Sequence, residues 1–429
     1  MSQDLDAMFG MHGPDLGPFE EICKNIHNHP EPDTFEERVA CVASKHLQDL
    51  GFDVTTDIGG YGVVGILRNG DGPTLMLYAD MDALPILENT GVSSASETVS
   101  NDAGGTERPV MHACLRTRHT RPSSTLVNYT IKLGDKMTLS VLVMAVASLL
   151  KHAAKAGKWL GTLTCVFQPN EGNGTGAKAM VERGLYNHTP KPDIVLAQHI
   201  DYCGNGNIAI RAGPRASAAD SFLVTVHGKG GHASKLGSCI DPIMGCDMVV
   251  WLRSIVSRLA ALQDEVILTC GSFHGGDAHD NIPDFVKFKV DIRTYNEKAR
   301  AKVLKTMHDT MDAKAQASDA PKLPTIERTH EYPLTSHDPK LTEGDQSVFI
   351  GHSGESGVEE MEGLAGSQDF PNLELPHNTP YVIWFWGPAG AKEGTLDHSA
   401  ESCPSIMATL QVGVRAMSMA ALSYLTRNL

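Results

Sequence analysis

Six side chains able to bind a metal or move a proton stand where apolar runs stop. Asp80 and Asp82 close TLMLYADMD, Cys114 ends VMHAC, Glu171 follows FQPN, His199 ends VLAQH, and His398 lies in LDHS beyond the apolar YVIWFWG. Carboxylate, imidazole and thiolate are the donors that hold a divalent metal in amide hydrolysis, and a nearby glutamate can act as base toward water. In an open α/β sheet the carboxyl ends of the strands form the ligand crevice, so residues far apart in sequence can meet there. Each residue alone has an ordinary structural role. An aspartate after a strand caps a turn, a lone cysteine packs as a small apolar group, and a lone histidine is satisfied by a hydrogen bond. Only the joint pattern points to a hydrolytic metal site. Competing chemistries lack their motifs: GHSGESG departs from G-x-S-x-G, GNGTGAK lacks the closing G-K-[ST] of a phosphate loop, and H-E-x-x-H does not occur.

The apolar periodicity supplies the scaffold for these residues. Residues 15 to 50 read as a helix ended by Gly51. DVTTDI, GVVGILRN, TLMLYADMDAL, GTLTCVFQP and DIVLAQHI read as strands, with helices at TLSVLVMAVASLLKHAAKAG and GAKAMVERGL. That alternation predicts an α/β sheet with helices on both faces. From about residue 216 the order changes: SFLVTVHGKGG, EVILTCGSF, FVKFKVDIRTY and PTIERTHEYP read as strands, with helices at DPIMGCDMVVWLRSIVSRL and from Glu297 to Ala313. This suits one sheet covered by two helices, an α+β sandwich. YVIWFWG and MATLQVGVRAMSMAAL then return as a buried strand and a final helix. The expected organisation is an α/β domain over 1–215 and 333–429, with an α+β domain over 216–332 inserted into it. LRTRHTRPSSTLVNYTIKL, residues 115 to 133, fits neither pattern: it has no period and carries four basic residues in an acidic chain.

Bulk properties narrow the class further. The 429 residues suit one large or two moderate domains, and 41% apolar residues suit sizeable cores. A net charge of −15 argues against nucleic acid and anionic membranes as partners. Nine scattered cysteines without a C-x-x-C pair read as reduced thiols. MSQDLDAMFG has no basic region followed by an apolar one, so no signal peptide is expected. The run from Met137 to Leu150 is too short to span a bilayer. A cytoplasmic enzyme is the expectation.

Longer motifs give a sharper resemblance. IHNHPE, GGYGVVGILRNGDGPTLMLYADMDALPILENTG, VMHAC, VFQPNEGNGTGAKAM, HGKGGHAS followed by DP, GGDAHDNIPD and GSQDF run in this order along the chain. Together they resemble the zinc aminoacylase and carboxypeptidase superfamily of metallopeptidases, in the branch of hippurate hydrolases and auxin-conjugate amidohydrolases. The resemblance covers nearly the whole chain. It implies a metal-dependent amidohydrolase that cleaves the amide bond of N-acyl amino acids or small peptides. The implied cofactor is a divalent metal, zinc first, with manganese or cobalt as alternatives. Cys114, His199 and His398 fall on metal ligands, and Glu171 on the general base. Asp82, with Asp80, falls on the acids that support the site from behind. His232 falls on a lid-domain histidine that helps hold the oxyanion, and Asn281, beside Asp280, on the same pocket. The inserted domain is implied to be a lid that also forms a homodimer.

The departures from the family pattern matter as much. Where the family has a histidine two residues after the cysteine, this chain has Arg116, and where it has a ligand glutamate directly after the base, this chain has Gly172. Two of the five implied ligands are therefore absent. His119 lies within the 115–133 stretch as a substitute that no motif supports. GDKMT at 134 to 138 echoes the end of the family's metal loop, so the segment between reads as an insertion, in the manner of a translated intron. The alternative to an active hydrolase is an impaired pseudoenzyme, or a mis-spliced product of such a gene, that binds ligand without turnover.

Overall fold

A computed structural model of the chain describes residues 8–83, 96, 98–101, 107–110, 113–115, 131–133, 135–260, 265–361, 363, 366–374, 377–387 and 405–426. The chain divides into two compact units. One comprises Met1–Gly213, His337–Glu362 and Phe370–Leu429, and the other comprises Pro214–Ser336 and Gly363–Asp369. The second unit thus takes in GSQD, from a segment that the sequence pattern left with the first.

The first unit is an α/β structure around an eight-stranded mixed sheet. Its order is Asp53–Thr55, Val63–Asn69, Gly161–Gln168, Thr74–Asp80, Ile194–Asn205, Tyr381–Gly387, Ile208–Ile210 and Val358–Glu360. The four central strands, from Gly161–Gln168 to Tyr381–Gly387, are mutually parallel. They are almost wholly buried, which is why they read as continuous apolar runs and not as alternating ones. Helices Asp135–Lys155 and Ile406–Leu425 pack on each other and on the central strands. Both are long and apolar enough to cross a membrane by length and composition, yet 78% and 67% of those windows lie buried inside the protein. The apolar run from Met137 to Leu150 is therefore the middle of a longer core helix.

One local expectation is corrected, and two gaps in the sequence reading are filled. The expected helix over 15–50 is two helices, Gly17–His27 and Glu37–Asp49. Pro30 and Pro32 stand between them; each lacks an N–H donor and turns the preceding residue away from helical geometry. Helix Pro339–Ser353 and the short strands Ile208–Ile210 and Val358–Glu360 had no clear period in the sequence. In the 115–133 stretch, Ala113–Leu115 pairs antiparallel with Ile131–Leu133, placing Cys114 opposite Lys132. The two ends of the stretch thus lie side by side, the arrangement in which extra chain disturbs a fold least.

The second unit is a four-stranded antiparallel sheet with two helices. Its order is Val266–His274, Phe285–Thr294, Ala218–His227 and Thr325–Tyr332. Strand Phe285–Thr294 alternates, burying Val286, Phe288, Val290 and Ile292. Helix Glu297–Ala317 answers with a stripe at every fourth position: Ala299, Val303, Met307, Met311 and Ala315. Helix Gly245–Ala260 packs beside it. A buried ion pair ties this assembly together. Asp220 is 1% exposed and accepts from Arg300 Nε at 2.8 Å and Nη2 at 3.1 Å. Asp220→Ala would leave the Arg300 guanidinium without its buried partner. A loss of about 3 kcal/mol is expected, measurable as a lower urea midpoint relative to the parent; an unchanged midpoint would show the pair to be dispensable.

Candidate active site

The first unit assembles its acidic residues through one register. Strands Thr74–Asp80 and Gly161–Gln168 run parallel with Asp80 paired to Gln168, and Met81 N–H donates to the Gln168 carbonyl at 2.9 Å. Both chains leave the sheet side by side. Two residues past Asp80, the fully buried Asp82 accepts from the Glu171 N–H at 3.0 Å and from the Gly172 N–H at 3.2 Å. The carboxylate therefore fixes the backbone that carries Glu171, itself partly exposed. Asp80 is also buried, and its carbonyl accepts from Ser140 Oγ at 2.7 Å, tying the strand end to helix Asp135–Lys155. On the other side, strand Ile194–Asn205 pairs parallel with Thr74–Asp80, Leu77 opposite Leu196. That pairing ends at Leu77 and Leu196, and His199 lies three residues further along its strand.

A second set of carboxylates was not assigned any role from the sequence. They lie just beyond IHNHP, where the two helices part. Glu31 receives the Arg38 and Val39 N–H groups at 2.8 to 3.0 Å, satisfying orphan donors at the start of helix Glu37–Asp49. Its own carbonyl accepts from Ala83 N–H at 2.7 Å, joining this segment to the exit of the Asp80 strand. Glu36 is fully buried, and one of its oxygens accepts from Thr34 N–H at 3.0 Å and Asn170 N–H at 2.8 Å. Thr34 and Asn170 both have positive φ, 72° and 56°. For a β-branched residue that is a strained conformation, held here by the bond to Glu36. Asp33, Glu36 and Asp82 each present a carboxylate oxygen within 4.8 Å of the other two. Burial, reinforced by the Asp82 charge, pushes the Glu36 carboxyl up to about 7.

The described histidines are set in opposite tautomers by their backbone partners. His199 Nδ1 lies 2.9 Å from the Ile200 carbonyl, which can only accept, so Nδ1 carries the proton and Nε2 is the basic nitrogen. In the second unit His232 Nδ1 lies 3.1 Å from the Ser234 N–H, which can only donate. Its Nε2 therefore carries the proton, 3.4 Å from Asp280 Oδ2. His232 also pairs across a two-residue ladder with Asn281, so these two expected site residues are neighbours on a largely exposed edge. For Cys114 the structure describes the backbone alone, and Arg116, His119 and His398 lie outside the described residues.

An acid clamped beside a parallel strand pair, with an imidazole on the neighbouring strand, lies at the carboxyl ends of the sheet, where α/β folds bind ligands. Comparison with known proteins agrees. The model of peptidase family M20/M25/M40 matches residues 134–423, more than half of the chain, and begins directly after the 115–133 stretch. A hippurate hydrolase from Campylobacter jejuni is 30% identical over 305 residues, 71% of each chain. A solved structure from methicillin-resistant Staphylococcus aureus, assigned as an aminohydrolase, superposes with a TM-score of 0.80 at 26% identity, covering 99% of this chain and 100% of that one. The Bacillus subtilis YxeP protein, described as a dinuclear metal-binding peptidase, shares the fold with a TM-score of 0.70 at 21% identity, covering 95% and 98%. The chain belongs to peptidase family M20/M25/M40, hydrolases of amide bonds.

Glu36 gives this site a pH signature. Its carboxyl is raised from 4.5 to about 7, so the folded chain holds a proton that the unfolded chain releases in that interval. Stability is then greatest below the lower value, falls as pH rises through the window, and is flat above it. In metal-free buffer Glu36→Gln should remove this slope and stabilise the protein at pH 8, by up to about 3 kcal/mol. Thermal melts of both proteins from pH 4 to pH 8 test this; parallel curves would mean that Glu36 ionises normally.

Proposed function

We propose that the chain is a metal-dependent amidohydrolase acting on N-acyl amino acids or small peptides. The observation that carries this reading is the Asp82 clamp on the Glu171 backbone, in a chain similar to a hippurate hydrolase. The donor set suits a divalent metal. His199 has its tautomer fixed for ligation through Nε2, and Cys114 and His398 would complete a thiolate and imidazole set of the kind zinc takes, with manganese or cobalt also able to serve. Such a metal, when bound, makes water more acidic and polarises the amide carbonyl. Glu171 takes the proton from the attacking water and returns it to the leaving amine. Asp82 keeps Glu171 in place through the two N–H bonds. His232 presents Nε2–H, the donor type that a developing oxyanion takes, and Asn281 beside it is read as a substrate contact.

A specific observation favours reduced activity. A Cβ at Gly172 would lie 2.9 Å from both carboxylate oxygens of Asp33, so this chain has filled the space that the family's second glutamate needs. Losing a direct ligand should cost more than the roughly 10- to 100-fold typical of changes one layer out. Weak hydrolysis of N-benzoyl and N-acetyl amino acids is therefore expected with added zinc, manganese or cobalt, and Glu171→Gln should abolish it. A chain with the family's G-H-D loop restored across 115–138 and with Gly172→Glu should turn over faster, provided Asp33→Gly makes room. Robust turnover by the unmodified chain would show that the missing ligands matter little. A folded, metal-loaded repaired chain without activity would count against the amidohydrolase reading.

The expected location is cytoplasmic, and the assembly a homodimer formed through the second unit. Val250 and Trp251 on helix Gly245–Ala260 are 67% and 42% exposed, an apolar outer surface for a partner copy. Light scattering at micromolar concentration should report twice the 46.1 kDa chain mass. A monomer would remove the dimer from this reading.

A further inference from the structure

The carboxylates of Asp33, Glu36 and Asp82 form a group that the proposed hydrolytic site does not use as such, sharing only Asp82 with it. Three acidic residues alone could be a solvated patch, but this group is not one. Glu36 and Asp82 are fully buried, and each ligand oxygen lies within 4.8 Å of the others. Glu36 is the informative member. One oxygen is engaged by the Thr34 and Asn170 N–H groups, while the other is buried and has no hydrogen-bond partner among the described residues. A buried carboxylate oxygen without a donor is costly, and a cation or a proton relieves that cost. No basic side chain among the described residues forms an ion pair with Glu36, so the protein does not supply the cation itself. The partly exposed Asp33 provides a way in from solvent.

We propose that Asp33, Glu36 and Asp82 bind a divalent cation of the hard, oxygen-seeking kind: manganese, magnesium or calcium. The three donors are all carboxylate oxygens, which selects against the softer metals that thiolate and imidazole take. Gly172 is part of the site in a negative sense. Any side chain there would displace the Asp33 carboxylate, so the glycine that removes one ligand of the family pattern makes room for this one. The cation would sit behind the Glu171–Gly172 turn, since Asp82 holds both N–H groups of that turn. This inference does not require the chain to turn over substrate.

The test is metal binding to the full chain after treatment with chelator. Manganese titration followed by electron paramagnetic resonance, with calcium titration by calorimetry, would be run on the parent and on Asp33→Asn, Glu36→Gln and His199→Ala. The expected result is a site retained in His199→Ala and weakened at least tenfold or so in the other two variants. If Glu36→Gln misfolds, as circular dichroism would show, the decision rests on Asp33→Asn, whose side chain is already partly exposed. The proposal is overturned if neither carboxylate variant loses affinity. It is equally overturned if His199→Ala abolishes all binding, or if the parent binds none of the three ions at millimolar concentration, in which case Glu36 holds only a proton. An inactive enzyme with this binding pattern would reject the hydrolase reading and leave the cation site standing.

Discussion

The first unit depends on one buried anion. Asp82 is removed from water, and its carboxylate takes two backbone N–H groups from a loop nearly ninety residues away. Bonds from an N–H to an ionised carboxylate are about twice as strong as neutral ones, and leaving a buried carboxylate without them costs several kilocalories. That energy holds the exits of two parallel strands together. Gly176 extends the same constraint: a Cβ there would collide with the Pro169 carbonyl, so helix Gly176–Glu182 can start only against the FQPN loop if that position is glycine. The residues that place Glu171 are thus mostly backbone contacts enforced by one acid and one glycine.

Most of this architecture was legible because it rests on burial, which periodicity reports. The five core strands of the α/β unit and the alternating strands of the α+β unit stand where their patterns indicated. What escaped detection was structure that burial does not mark. Strands Ile208–Ile210 and Val358–Glu360 have three residues each, too few to carry a period. Helix Pro339–Ser353 buries Thr342 and Asp345 along with Leu341, Val348 and Phe349, so its stripe is diluted by polar groups. The break at 28–36 was hidden because apolar residues recur on either side of it; Pro30 and Pro32 were the available signal.

The candidate site divides in the same way. Residue type and motif pointed to Asp82, Glu171, His199, His232 and Asn281, and the structure gives each a defined setting. Glu36 gave no such sign, since an acidic residue near a helix start reads as an ordinary dipole partner. Its importance is three-dimensional: it binds the N–H groups of two left-handed residues that are distant in sequence, Thr34 and Asn170. No local pattern encodes that meeting.

Gly172 and Asp33 show how a glycine beside buried acids decides what occupies the space around them. Removing a glutamate side chain beside buried acids lowers the negative charge, but it also opens space. Here the space is taken by another carboxylate, whose oxygens would both lie 2.9 Å from any Cβ at 172. The Asp33 carboxylate, entering from the Thr34 side, meets those of Glu36 and Asp82. Electrostatics alone can therefore retain affinity for a cation while withdrawing it from the ligands that hydrolysis requires, and a chain altered in this way can stay folded and charged as its family is while differing in what it binds and how fast it acts.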